Sequence, residues 1–267
     1  MLVDSHCHLD AQEFGASASA IAQSAASQGV RWIVIPAVEC SNFNTVCALA
    51  RQFDGGVYAL GIHPMYVPSA SEADLATLRE QATQSLTDPR FVAIGEIGLD
   101  FFIPELRDGE LREKQEFFYI EQLKIARDLG LPVILHVRRS QDTLLKYLRR
   151  IHVSGGLAHA FNGSEQQAHA FIERGFVLGF GGAMTFTRAL QIRRLAATLP
   201  PTALALETDA PDISPSWLHP ATNSPEQLPQ IAAVLAELRG QPVADIASQT
   251  SKNVARVLPR LGNLMMR

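Results

Sequence analysis

Two histidines stand near the head of the chain, His6 and His8, with Cys7 between them and the apolar pair Leu2-Val3 just before. Neutral imidazole is a ligand for zinc, iron, nickel or copper, while carboxylate oxygen suits magnesium or manganese. Glu96, His136, His159 and Asp209 follow at long intervals, each closing its own short apolar run. In an extended strand alternate side chains share a face, so His6 and His8 point one way and Cys7 the other. One cation needs three or four such ligands. Six candidates imply two cations with a shared bridge, and Glu96, midway in the ligand order, is the expected bridge because a carboxylate can span two ions. Two divalent cations (magnesium, zinc or manganese) about 3.5–4 Å apart can activate a water and offset charge on the leaving oxygen of a phosphodiester.

Other side chains belong around this set. His63, in Gly61-Ile62-His63-Pro64, is expected at the same rim as a substrate contact or acid–base relay. With Asp209 as the acceptor of the water's proton and Glu96 as bridge, it completes the candidate catalytic group. Arg138 lies two residues past His136, on the same strand face, where a guanidinium suits a phosphate oxygen; Arg139 then points elsewhere, to solvent. Asp100 is placed to orient a metal ligand and is grouped with Arg138 and His63 on the substrate side. Glu207 shares a face with Asp209 and can hold a histidine ring. Gly179 and Gly181-Gly182 permit close backbone approach where barrels often bind phosphate. His152, His169 and His219 read as surface residues.

The elements that must position these groups alternate along the chain. Strand-like runs occur at 2–8, 32–37, 57–62, 91–97, 132–137, 156–160, 176–179 and 203–207. Amphipathic stretches lie between them, among them 110–129 and 144–151, with Gly29, Gly130 and Gly175 where helices should end. Eight such units predict an α/β fold, a (β/α)8 TIM barrel filling residues 1–267 as one domain, with an extra C-terminal helix at 243–258. In such barrels chemistry sits at the C-terminal mouths of the strands, so the scattered residues converge on one rim. The 267 residues are 47% hydrophobic with a formal net charge of −4, which excludes a protein that coats long DNA by bulk charge. Three cysteines, Cys7, Cys40 and Cys47, show no CxxC spacing and read as reduced thiols of a cytoplasmic protein. No signal-peptide pattern opens the chain, and no apolar run reaches the ~18 residues of a membrane helix.

Five segments resemble the TatD-type metal-dependent deoxyribonuclease family almost end to end: Asp4-Ser5-His6-Cys7-His8-Leu9-Asp10, Gly61-Ile62-His63-Pro64, Ile94-Gly95-Glu96-Ile97-Gly98-Leu99-Asp100, Leu131-Pro132-Val133-Ile134-Leu135-His136 and Glu207-Thr208-Asp209-Ala210-Pro211. Phe101-Phe102 and Arg138-Arg139 look most like its YjjV-like branch. The resemblance implies a TIM barrel with His6, His8 and Asp209 on one ion, His136 and His159 on the other, and Glu96 shared. It also implies 3′→5′ exonuclease or related phosphodiesterase activity, usually supported by magnesium. Two segments depart from the family pattern. A common His-Cys-Phe-Ser-Gly is here His159-Ala160-Phe161-Asn162-Gly163, and Ala221-Thr222-Asn223-Ser224-Pro225 lacks a usual basic residue, so a loop that meets nucleic acid has lost charge.

The expected function is therefore two-metal hydrolysis of phosphodiesters at DNA ends, with Arg138 and His63 holding the phosphate, in a protein expected to be monomeric. A small-molecule metallohydrolase (lactonase, amidase or small phosphodiesterase) is the alternative on the same ligands, and a metal-loaded binding protein without turnover is a third. A basic groove leading from the metals favours DNA; a closed apolar pocket favours a small ligand.

Overall fold

Eight parallel strands, hydrogen-bonded to one another in sequence order, form the wall of a barrel in the computed structural model, which describes all residues, Met1–Arg267. They are β1 (Leu2–Asp4), β2 (Val30–Pro36), β3 (Gly56–Leu60), β4 (Phe91–Asp100), β5 (Val133–Arg138), β6 (Gly156–His159), β7 (Phe176–Phe180) and β8 (Leu204–Leu206). The connecting helices are α1 (Ala18–Ser27), α2 (Phe43–Ala50), α3 (Glu72–Ser85), α4 (Pro104–Arg107), α5 (Gly109–Leu129), α6 (Gln141–Leu148), α7 (Glu165–Ile172), α8 (Leu190–Thr198) and α9 (Leu228–Arg239). Two more follow, α10 (Val243–Val257) and α11 (Pro259–Met265), where the sequence predicts one. Pro259 removes the amide that would continue α10 and opens α11 at its first position, where that amide has no partner to lose.

Strand alternation separates two apolar layers. Val34, Val57, Val92, Ile134, Leu157, Val177 and Ala205 fill the barrel interior, and Val254, Val257, Leu258 and Leu261 pack on this inner cluster from α10, α11 and the residue between them. Their neighbours Ile33, Tyr58, Leu135, Ala158 and Leu178 face outward into the larger cluster beneath the helices. Continuing the inward phase past Ile134, Leu157 and Ala205 brings His136, His159 and Glu207 to the axis above this apolar floor.

Several residues deviate from the expected strand limits. Glu96 does not end its strand: β4 runs on to Asp100, and the β4–β5 register shifts between Ile94 and Ile97. Such an irregularity re-aims a side chain, and here it is Glu96 that turns to the axis. β1 stops at Asp4, before His6 and His8. Val3 lies in the inner layer and His6 also reaches the axis, so the alternation changes phase between them. Cys7 nonetheless points away from its neighbours, fully buried in the outer layer. The helix predicted at 144–151 is α6, three residues earlier, starting just after Ser140, whose hydroxyl donates to the Leu99 carbonyl.

The barrel closes between β1 and β8 through Asp4, a residue the sequence reading used only as part of a motif. Its Oδ1 accepts from the Thr208 amide at 3.0 Å and its Oδ2 from the Thr208 hydroxyl at 2.6 Å. Ser5 N donates to Leu206 O (3.1 Å), Asp209 N to His6 O (2.9 Å) and His8 N to Ala210 O (2.8 Å). Residues two hundred positions apart are thereby zipped side by side. Burial pushes the Asp4 carboxyl up to about 7, against the opposing hydrogen bonds from Thr208. Thr208→Val keeps the shape and removes one donor to this buried acid. Equilibrium urea unfolding should show a loss of about 1–3 kcal/mol; an unchanged midpoint would mean that the clasp contributes nothing.

Candidate metal centre

Glu96 sits at the middle of the mouth, fully buried, with a different group of partners on each oxygen. Oε2 lies 3.1 Å from His6 Nε2 and 3.3 Å from His8 Nε2. Oε1 lies 2.8 Å from His136 Nδ1, 3.4 Å from His63 Nε2 and 3.7 Å from His159 Nε2. Asp209 Oδ1 approaches His6, His8 and His159 at 3.6, 3.8 and 3.8 Å. All six sequence-predicted ligands are thus brought together. Three groups have their donor atoms within 4.8 Å of one another: His6, His8 and Asp209; His6, Glu96 and His159; His63, Glu96 and His136. His159 stacks on His6 with ring centroids 3.8 Å apart and stands between the two sides of Glu96.

The donor chemistry fits divalent cations. Glu96 Oε2, though close to two imidazole nitrogens, is buried without a hydrogen bond, as is Glu207 Oε2. An orphaned buried acceptor is destabilising by about 1–3 kcal/mol, and a cation would satisfy Glu96 Oε2. The protonation balance has the same origin. Burial drives His6 well below the usual imidazole range, aided by neighbouring His159. Burial acts the same way on His8 and His159, but the close approach and charge of Glu96 lift His8 to about 9, and Asp209, Glu207 and Glu96 lift His159 to about 10. For Glu96 burial works upward, yet His63, His6 and His159 hold it well below the carboxylate range. A proton on His8 or His159 occupies a ring nitrogen that a metal would need, so divalent ions and protons would compete for the same atoms.

Outer carboxylates set which nitrogen each ring presents. Asp100 Oδ2 takes His136 Nε2 at 3.1 Å, leaving Nδ1 toward Glu96. Glu207 Oε1 lies 3.3 Å from His159 Nδ1 and accepts from the Ala160 amide at 2.6 Å, leaving His159 Nε2 toward the centre. A carboxylate behind the ring is the usual way a ligating histidine is oriented. His63 is different. Its Nδ1 accepts from the Met65 amide at 3.1 Å, so in the neutral ring Nε2 carries the hydrogen and donates into the centre. Burial lowers this ring to about 4, which keeps it neutral.

Three expectations need correction. Asp100 cannot touch substrate: it is fully buried, with Oδ1 accepting from the Phe102 and Ile103 amides and Oδ2 on His136. Gly179, in β7, and Gly182, just after it, are spaces for protein, not a phosphate cradle. A Cβ on Gly179 would lie 2.0 Å from Glu207 Oε2, and one on Gly182 would lie 2.0 Å from Ile213 O. Arg139 is exposed to solvent, as expected, but does not turn away from Arg138. Its backbone is left-handed (φ 56°), and its guanidinium lies 4.7 Å from the centroid of the Phe102 ring, which Arg138 approaches at 4.0 Å. Extended geometry ends where the chain leaves the strand at Arg139, and no residue type at that position signals the change. His152, His169 and His219 are exposed, as expected.

A cavity of about 1100 Å³ opens above the cluster, with Glu96, His136, His159 and Asp209 in its floor. Its wall holds Arg138, Arg139 and Phe102 together with Asp10, Glu13, Glu39 and Asp212. The rim is therefore neither a wholly basic groove nor a closed apolar pocket. No helix is long and apolar enough to cross a membrane.

A family model described as TatD related DNase matches residues 3–259. The metal-dependent hydrolase YjjV of Escherichia coli is 40% identical to this chain over 252 residues, 94% of this chain and 95% of its own. The crystal structure of that protein matches with a TM-score of 0.90, covering 97% of this chain and 98% of the other at 38% identity. Human deoxyribonuclease TATDN3 is 29% identical over 272 residues, covering 100% of this chain and 97% of its own.

If the outer carboxylates orient the rings, Asp100→Asn and Glu207→Gln should each weaken divalent-metal binding about 10–100-fold. Calorimetric titration of chelator-stripped protein reads this directly, with the rim variant Asp212→Asn as control. Wild-type affinity in both variants would remove these carboxylates from the centre.

Proposed function

The chain belongs to the TatD-related DNase family and is a metal-dependent hydrolase, and from this premise we propose that it hydrolyses phosphodiester bonds at the ends of DNA strands, in the 3′→5′ sense. The observation that carries this reading is Glu96, a buried carboxylate with imidazole nitrogens gathered on both oxygens and one oxygen left without a hydrogen bond. His6, His8 and Asp209 would hold one divalent ion, His136 and His159 a second, and Glu96 both. Bound there, the two ions supply Lewis-acid polarisation of the phosphoryl group, a water of lowered pKa and compensation for charge on the leaving oxygen.

The protein's own groups do the rest. Asp209 is the more open carboxylate of the cluster, its side chain 12% exposed against 1% for Glu96. It borders the cavity above the cluster and is placed to take the water's proton on a carboxylate oxygen. His63, whose Nδ1 is taken by the Met65 amide, would donate its Nε2 hydrogen to a non-bridging phosphate oxygen. Arg138, half exposed and 3.8 Å from Asp100, offers a guanidinium to the same phosphate. Phosphoryl transfer needs mainly such positioning and charge stabilisation. The apolar floor under the cluster limits water to the open side.

A 1100 Å³ cavity open along one rim suits an extended substrate better than an enclosed small one. Human TATDN3, a deoxyribonuclease by name, spans this whole chain and supports the same substrate class. Glu96→Ala should abolish release of nucleotides from single-stranded DNA by the metal-loaded protein, a loss of at least 10³-fold, while the far-UV circular dichroism spectrum is retained. A wild-type rate in the purified variant would falsify the mechanism. Lactone or amide hydrolysis without any phosphodiester hydrolysis would replace the substrate class.

A further inference from the structure

The metal centre explains the floor of the cavity but not the corner formed by Phe102, Arg138 and Arg139. Phe102 is 45% exposed, a large apolar ring at the rim of a polar site. Two guanidinium groups from consecutive residues approach it, with Arg138 Cζ 4.0 Å and Arg139 Cζ 4.7 Å from the ring centroid. In a continuing strand these two side chains would diverge to opposite faces. The left-handed backbone of Arg139, a conformation unfavourable for a residue with a Cβ, brings them together instead. No carboxylate lies within ion-pair distance of Arg139, and Arg138 has only Asp100 at 3.8 Å. Two like charges are thus gathered on one aromatic ring without a full complement of counter-charge.

The corner is also tied to the reacting centre. Phe102 N donates to Asp100 Oδ1 at 2.8 Å, and Asp100 Oδ2 holds His136 Nε2 at 3.1 Å. One buried carboxylate therefore anchors the backbone of Phe102 and the His136 ring that faces Glu96. Arg138 and Arg139 are the only lysine or arginine residues lining this cavity, whose other outer charges include Asp10, Glu13, Glu39 and Asp212. A polyanion entering the cavity meets attraction at this corner and repulsion elsewhere on the rim.

We infer that Phe102 and Arg139, beside the Arg138 that meets the scissile phosphate, form a second phosphate subsite, in which Arg139 grips the next phosphate of the strand. The subsite selects a strand bearing at least two phosphates over an isolated phosphodiester. A planar guanidinium braced on an aromatic face is pre-organised to bind two oxygens of a phosphate, and the exposed ring offers a surface for a neighbouring base. Selectivity for a strand over an isolated phosphodiester thus comes from one corner, not from a basic groove. The inference rests on the phosphodiesterase reading of the centre and adds which phosphodiester is preferred.

The test compares wild type with Arg139→Asn, whose side chain tolerates the left-handed backbone, and with Phe102→Ala. Each metal-loaded protein is assayed on a single-stranded DNA oligonucleotide and on bis(p-nitrophenyl) phosphate, which carries one phosphate. The subsite predicts that kcat/KM for the oligonucleotide falls at least tenfold relative to that for the one-phosphate ester in both variants, mainly through KM. It also predicts a shallower salt dependence of oligonucleotide KM in Arg139→Asn. Equal changes on the two substrates, no change on the oligonucleotide, or a wild type that cleaves only the ester would each overturn the subsite. If the wild type cleaved neither compound, the phosphodiesterase reading would fall on its own. Anisotropy of a fluorescein-labelled oligonucleotide on the same loaded proteins would then decide the subsite: weaker binding by Arg139→Asn upholds it, and equal binding overturns it.

Discussion

The mouth of this barrel is organised by one buried negative charge. Glu96 presents each oxygen to a separate set of imidazoles, and nothing in the protein satisfies both. Burying so many polar side chains together is unfavourable unless each finds a partner. His136 finds Asp100, His159 finds Glu207, and His63 finds the Met65 amide. Glu96 Oε2, between His6 and His8, is left without a partner. The surrounding structure reads as support for that carboxylate: an apolar floor below, carboxylates behind the rings, and a clasp that brings the first and last strands into register.

Local backbone strain follows the same geography. Arg139, Ala160 and Asp209 take positive φ just beyond β5, β6 and β8, at the mouth. A left-handed conformation is unfavourable by roughly 1–2 kcal/mol for a residue with a Cβ, and such strain persists where surrounding structure over-determines it. Asp209 is held by its amide on the His6 carbonyl, and Ala160 by its amide on Glu207. The strained residues place a carboxylate on the centre, turn the chain beside His159, and fold a second arginine onto Phe102. All four non-glycine residues with positive φ, these three and Ile213, line the cavity above the centre.

Much of this was legible in the sequence because periodicity and chemistry agree. Inward-facing Ile134 and Leu157, each two residues before a histidine, announce which face His136 and His159 take, and the recurrence of polar residues at strand ends marks the rim. Other features were illegible for physical reasons. The phase change between Val3 and His6, the irregularity that turns Glu96 inward and the positive φ of Arg139 are backbone events imposed by neighbours, not by local residue preference. Asp4 looks in sequence like one more acid near the histidines; only the closure of the barrel, which pairs it with Thr208, makes it a clasp. Gly179 signals close approach correctly, but its type does not say whether the approaching group is a phosphate or, as found, the Glu207 side chain.

The central proposition is that Glu96 lies between two divalent cations. Anomalous diffraction from crystals loaded with manganese tests it most directly. Two peaks, one on each side of the Glu96 carboxylate, the first within ligand distance of His6, His8 and Asp209 and the second of His136 and His159, are the predicted result. A fully loaded crystal with no peak at Glu96, or with its cations bound only elsewhere on the surface, would contradict the account.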